Sequence, residues 1–289
     1  MRSVGLFAAV LIAAMAASLC PAFAQNAAWL GRGGAGLAMT NEDATAYVNP
    51  AGLARLTDNG FTTNASDNWV GQLGYMSDSN GNAMDIWAVQ ASMRRLNENW
   101  GLGAGYTYWD GDKSWFAGFG QGFSKKADKG FAWGVLLSQN KFIEPVYPTV
   151  LGVHTVSRVT VDLGLQYQNQ IDLLGFPGTW SFGATCVDVA DEFQRYYNAG
   201  LAFQTGRAKL AVDLIDLNDD TWDGRTTNFG GEYKLCKYLT GRVGSLDSNL
   251  TWGASAQYNR LALDFGTMQG EEDDDIDVKV FGIRYGSSW

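Results

Sequence analysis

The chain carries one histidine, His154, among 289 residues, and only three cysteines and five prolines. These scarcities exclude whole classes of chemistry. A Ser-His-Asp arrangement needs a nucleophile and an orienting carboxylate converging on the imidazole, and nothing around His154 supplies them. With no CxxC and no Cys/His cluster, neither a thiol metal centre nor a disulfide framework is expected. Cys186 and Cys236 read as isolated packing thiols. Cys20 follows Leu19, where a lipoprotein signal wants a small residue. Bases are also short: 21 Lys and Arg stand against 30 Asp and Glu, a net charge of −9, which argues against a nucleic-acid partner. After residue 24 no stretch approaches the roughly 18–20 apolar residues of a spanning helix. No catalytic group, metal site or cofactor is expected, and the protein is not read as an enzyme.

What is present begins with a leader. Arg2, the apolar run over residues 4–19 and the small residues of Ala22-Phe23-Ala24 form a secretory signal peptide over residues 1–24, cleaved after Ala24. An exported chain without a spanning helix is soluble, or it crosses a membrane as a closed β-barrel, whose strands satisfy every backbone group.

From Phe61 to Trp289 the pattern alternates with period two, the mark of strands with two unlike faces. Leu250, Trp252, Ala254, Ala256 and Tyr258 oppose Thr251, Gly253, Ser255 and Gln257. Segments of about 9–12 residues with aromatics near their ends suit tilted transmembrane strands and their interfacial girdles. Fourteen are expected, at about 69–77, 83–94, 99–109, 113–124, 130–139, 156–169, 178–189, 195–206, 207–216, 224–235, 237–246, 249–258, 259–268 and 277–288. An even number places both chain ends in the periplasm. The outer connections are then long and acidic and the inner ones short and basic, with "NQIDLLGFPG" an outlier in length. The expected fold class is all-β: an antiparallel transmembrane barrel over residues 61–289, preceded by a plug segment over residues 25–60.

Three groups of residues stand out. Asp162, Lys209, Asp213, Glu232, Lys234, Arg242, Arg260 and Asp264 fall on polar faces and are expected inside the lumen, as mixed-sign ion-pair networks or as a selectivity ring. Phe281, Ile283, Tyr285 and Trp289 share one alternating face at the chain's end, which resembles the signal read by the barrel assembly machinery. The run Glu271, Glu272, Asp273, Asp274, Asp275 and Asp277 is a solvated loop or a cation-binding one; in an outer membrane it lies among lipopolysaccharide headgroups. Outer-membrane lipid and lipopolysaccharide are thus expected partners.

"NEDATAYVNPAGLARL", residues 41–56, is unlike the rest. Its small residues and helix-start chemistry read as a helical segment seated beneath a glycine-lined wall, with Asn49, Pro50, Ala51 and Gly52 against that wall. Pro50 is expected to interrupt the helix. Asn41, Glu42, Asp43 and Asn49 are expected to bond to Arg242 or Arg260. With the preceding "GRGGAGLAMT", this stretch resembles the N-terminal plug signature of the FadL-like outer-membrane transporter superfamily. "LAVDLIDL", "FGGEYK", "LTGRVG", "LTWGASAQ" and "LALDFG" resemble strands of its PorV-like branch. The resemblance implies a fourteen-stranded barrel with a small plug. Large outer capture loops, a feature of the fatty-acid transporters, are absent from this sequence. Two functions follow: passive transport of small hydrophobic solutes across the outer membrane of a Gram-negative-type bacterium, or a non-conducting accessory role beside a secretion or assembly machinery. A structural barrel with a filled, inert lumen is the third.

Overall fold

The computed structural model describes residues 27–30, 32, 34–39, 48–55, 67–77, 83–95, 99–109, 112–124, 129–145, 153–173, 176–192, 194–218, 224–259, 261–269 and 278–286. The leader, residues 41–43, Arg260, the acidic run over 271–277 and Trp289 lie outside them.

The described residues form one antiparallel sheet. Its strands are β1 (Asp67–Ser77), β2 (Ala83–Arg95), β3 (Trp100–Trp109), β4 (Asp112–Gly122), β5 (Gly130–Pro145), β6 (Val153–Leu173), β7 (Phe176–Val187), β8 (Tyr196–Thr205), β9 (Ala208–Ile215), β10 (Thr226–Lys234), β11 (Leu239–Leu246), β12 (Asn249–Tyr258), β13 (Leu261–Met268) and β14 (Val278–Gly286). Each strand pairs with the next, and β1 pairs with β14 from Val70↔Gly286 to Ser77↔Lys279, so the sheet closes on itself. A closed sheet leaves no unpaired edge. Among the described residues no helix is long and apolar enough to cross a membrane.

The faces are inverted relative to a water-soluble protein. Most side chains turned inward are polar or small: Gln166, Ser181, Asn198, Asp213, Glu232, Arg242, Thr251, Ser255 and Asp264 are all buried, with Phe116, Leu136 and Val280 as apolar exceptions. Their neighbours turned outward are large and apolar, with Leu165 57% exposed, Leu210 59%, Phe229 56% and Val243 56%. Soluble monomers rarely expose a contiguous apolar patch of this extent. Aromatic side chains meet across strands on this outer surface, Phe131 with Tyr167 at 4.6 Å between ring centroids and Tyr167 with Trp180 at 5.4 Å.

Two connections depart from the sequence reading. β5 runs on to Pro145 and β6 starts at Val153, beyond the expected limits at 139 and 156. The long inner connection expected at "NQIDLLGFPG" is mostly strand: β6 continues to Leu173 and β7 starts at Phe176, with Asp172↔Pro177 and Ile171↔Gly178 in register. Pro177 is the second residue of its strand, a place where the missing N–H is tolerated. Cys186 and Cys236 are both free thiols.

Two short helical pieces precede the strands, α1 (Ala27–Leu30) and the 3-10 turn η1 (Pro50–Arg55). Helix α1 packs on β12, β13 and β14; η1 packs on β2 to β6. Leu30, Arg32, Leu37, Leu53 and Arg55 are each at most 2% exposed. Residues buried this fully and touching strands on opposite sides of the closed sheet lie on its inner face.

Candidate functional site: the enclosed N-terminal segment

The site is built from small residues and the backbone groups they leave open. Asn49 organises its first half. Its Oδ1 accepts the Ala51 N–H at 3.1 Å, and its main-chain oxygen accepts the Gly52 N–H at 2.9 Å. This is a capped turn with Pro50 at the first position, where no N–H is needed. Val48 is helical, Asn49 is not, and Pro50 opens a separate 3-10 turn, so the helical segment is interrupted at Asn49-Pro50 as the sequence reading expects. Asn49 Nδ2 donates to Leu37 O at 2.9 Å and to Leu165 O on β6 at 3.1 Å. One side chain thus joins the turn, the preceding segment and the wall.

The wall facing η1 is glycine because nothing larger fits. A Cβ at Gly134 would stand 2.3 Å from the Pro50 carbonyl carbon, one at Gly120 would stand 2.6 Å from Pro50 O, and one at Gly164 would stand 2.2 Å from Asn49 Oδ1. Beside these glycines Leu53 packs with Phe116 and Leu136, and Ala51 and Ala54 pack with Ala132. Arg55 closes the turn, donating from Nη1 to Lys129 O at 3.0 Å and from Nη2 to Gly130 O.

The opposite wall holds residues 32–39 through charge. Asp213 Oδ2 accepts the amides of Gly36 at 2.7 Å and Leu37 at 2.9 Å. Glu232 is the hub: Oε2 meets Arg32 Nη1 at 3.2 Å and Arg242 Nε at 2.7 Å, and Oε1 meets Lys209 Nζ at 3.3 Å. Arg242 also donates to Ser255 Oγ, which donates to Asp264. Glycine recurs here too, since a Cβ at Gly230 would overlap Arg32 O and one at Gly183 would stand 2.4 Å from Leu37 O. Between the two walls, Gln166 Nε2 donates to Ala38 O at 2.9 Å and Met39 O at 3.1 Å.

The structure places Asn49, Pro50 and Ala51 on the glycine wall, with Gly52 buried in the same turn. It brings Lys209, Glu232, Arg242 and Asp264 into one network and sets Asp213 beside it on the neighbouring face of the enclosed segment. Asp162 stands apart midway along β6, level with the end of β7, accepting the Asp188 N–H at 2.8 Å. Phe281 and Ile283 are exposed on the outer face; the Tyr285 side chain lies outside the description. Of the positions expected to bond Arg242 or Arg260, Asn41, Glu42 and Asp43 lie outside the described residues, as does Arg260. Arg242 faces Glu232, and the enclosed segment contributes a cation, Arg32, to that carboxylate. Asn49 bonds main-chain carbonyls instead.

The sequence reading missed Arg32, Arg55 and Gln166. Arg32 sits in "GRGGAG" as one base among glycines, and bonds from Arg55 and Gln166 to carbonyl oxygens leave no pattern in the sequence. Among the described residues no group of three or more His, Cys, Asp or Glu could hold a metal ion.

No family model and no curated protein sequence matches the chain. Solved structures do. A FadL homologue of Pseudomonas aeruginosa is 12% identical with a TM-score of 0.51, over 93% of this chain and 98% of that one. The toluene transporter TodX of Pseudomonas putida is 13% identical with a TM-score of 0.52, over 93% and 99%. The CymD monoaromatic hydrocarbon channel is 13% identical with a TM-score of 0.51, over 91% and 97%. At this identity the likeness is one of fold.

Proposed function

We propose that the chain is an outer-membrane β-barrel for passive movement of small hydrophobic solutes, with a fourteen-stranded wall and an N-terminal plug within residues 25–60. The observation that carries this reading is the inverted ring, apolar outside and mostly polar inside, with residues of its own N-terminal segment on the inner face. Solved structures of like fold include a toluene transporter and monoaromatic hydrocarbon channels.

Exposed aromatics support a membrane setting. Phe123, Phe131, Tyr233, Tyr238 and Tyr258 ring the end of the barrel where β5 and β11 begin, while Trp115, Tyr197 and Trp252 lie towards the other end. Two such rows flank the apolar band of membrane barrels. In this setting lipid covers the apolar band, lipopolysaccharide surrounds the acidic outer connections, and the assembly machinery reads the face of Phe281, Ile283, Tyr285 and Trp289. The leader over residues 1–24 directs export.

The test is uptake by proteoliposomes of the purified full chain, comparing a monoaromatic hydrocarbon with a sugar of similar mass. Uptake of the hydrocarbon above protein-free vesicles supports the reading. Equal, background uptake of both removes it and favours the non-conducting accessory role.

A further inference from the structure

We infer that Glu232 is a positioning residue for the enclosed segment: its charge keeps Arg32, and with it residues 32–37, on the β9–β11 wall. The inference deepens the plug reading and rests on it. Three cations converge on this carboxylate, Arg32 from the segment, Lys209 from β9 and Arg242 from β11. Their side chains are 1%, 18% and 0% exposed, and that of Glu232 is 5% exposed. The second carboxylate of the network is Asp264, reached through Ser255. Asp213 is engaged by the amides of Gly36 and Leu37.

Neutralising Glu232 takes one negative charge from among three cations that meet it directly, in a water-poor site where charges are weakly screened. Lys209 and Arg242 belong to paired strands and cannot withdraw. Arg32 belongs to the segment, so the segment is the part that yields. Removing Lys209 as well restores the net charge of the site.

Hydrogen exchange of the full chain refolded in detergent measures this directly. Glu232→Gln is expected to speed exchange at residues 34–39 by about 100-fold or more, the scale of breaking a buried ion pair, while residues 51–55 keep their protection. Glu232→Gln with Lys209→Met is expected to recover most of the lost protection. Unchanged exchange in Glu232→Gln, or no recovery in the double variant, overturns the inference and leaves Glu232 as a packing or hydrogen-bonding residue. Should Glu232→Gln not reach its heat-modifiable form, Arg32→Met tests the same contact: it must release residues 34–39 from an intact barrel, and protected residues 34–39 overturn the inference. Solute uptake by the same variants separates the two readings. Released residues 34–39 with no uptake in any variant remove the channel and leave the positioning role; uptake with unchanged exchange does the reverse.

Discussion

Along β4–β6 the enclosed segment meets glycine, Leu136 and Phe116; along β9–β11 it meets Asp213, Glu232 and the cations beside them. The first contact is made by shape. Its glycines let main chain lie on main chain, and its hydrogen bonds run to wall carbonyls that belong to any sequence. The second is made by charge, and its partners are individual side chains. The difference bears on tolerance. A shape contact fails when volume is added, whereas a charge contact fails when a partner is removed.

Four substitutions sharpen this contrast when thermal melting is followed in detergent. Asp213→Ala is expected to have the largest effect, about 4 kcal/mol, because two buried amides, Gly36 and Leu37, lose a charged acceptor. Leu53→Ala follows at about 3 kcal/mol, leaving a cavity against Phe116 and Leu136. If Leu53→Ala costs more than Asp213→Ala, the charged wall is not the stronger attachment. Gly134→Ala adds one carbon 2.3 Å from the Pro50 carbonyl carbon, backbone that cannot turn aside, and is expected to cost about 2 kcal/mol. Gly231→Ala is its control. There the new carbon meets Leu210 Cδ2 at 3.1 Å, the end of a flexible side chain, and the expected loss is below about 0.5 kcal/mol. Equal losses at Gly134 and Gly231 would mean that strand glycines matter for strand geometry and not for the room they leave.

Much of this arrangement is legible in the sequence because its cause is local. Alternation marks which residues face inward, and β12 falls at Asn249–Tyr258, the range read from the sequence. Glu232 and Arg242 fall on polar faces by the same rule, and they pair because Glu232↔Arg242 is a register position between β10 and β11. Register across β6–β7 is less visible. Gly175, Pro177 and Gly178 signal a loop, yet pairing with Gln170–Asp172 keeps the last two in strand. The enclosed segment is the least legible. Its position on the glycine wall follows from small residues, but its bond to Glu232 joins residues 200 apart, and no local pattern encodes that distance.

The circuit of the enclosed segment also orders the steps of folding. Its contacts descend the strand series, from α1 on β12–β14, through Gly36 and Leu37 on β9, to η1 on β2–β6. Read backwards, the same list is a timetable. Asn49 needs Leu165, 116 residues later, whereas Gly36 needs Asp213 at a separation of 177 and Arg32 needs Glu232 at 200. Whatever the order in which strands are added, the N-terminal end of the segment cannot dock before β12–β14 are present, whereas Asn49 needs only β6.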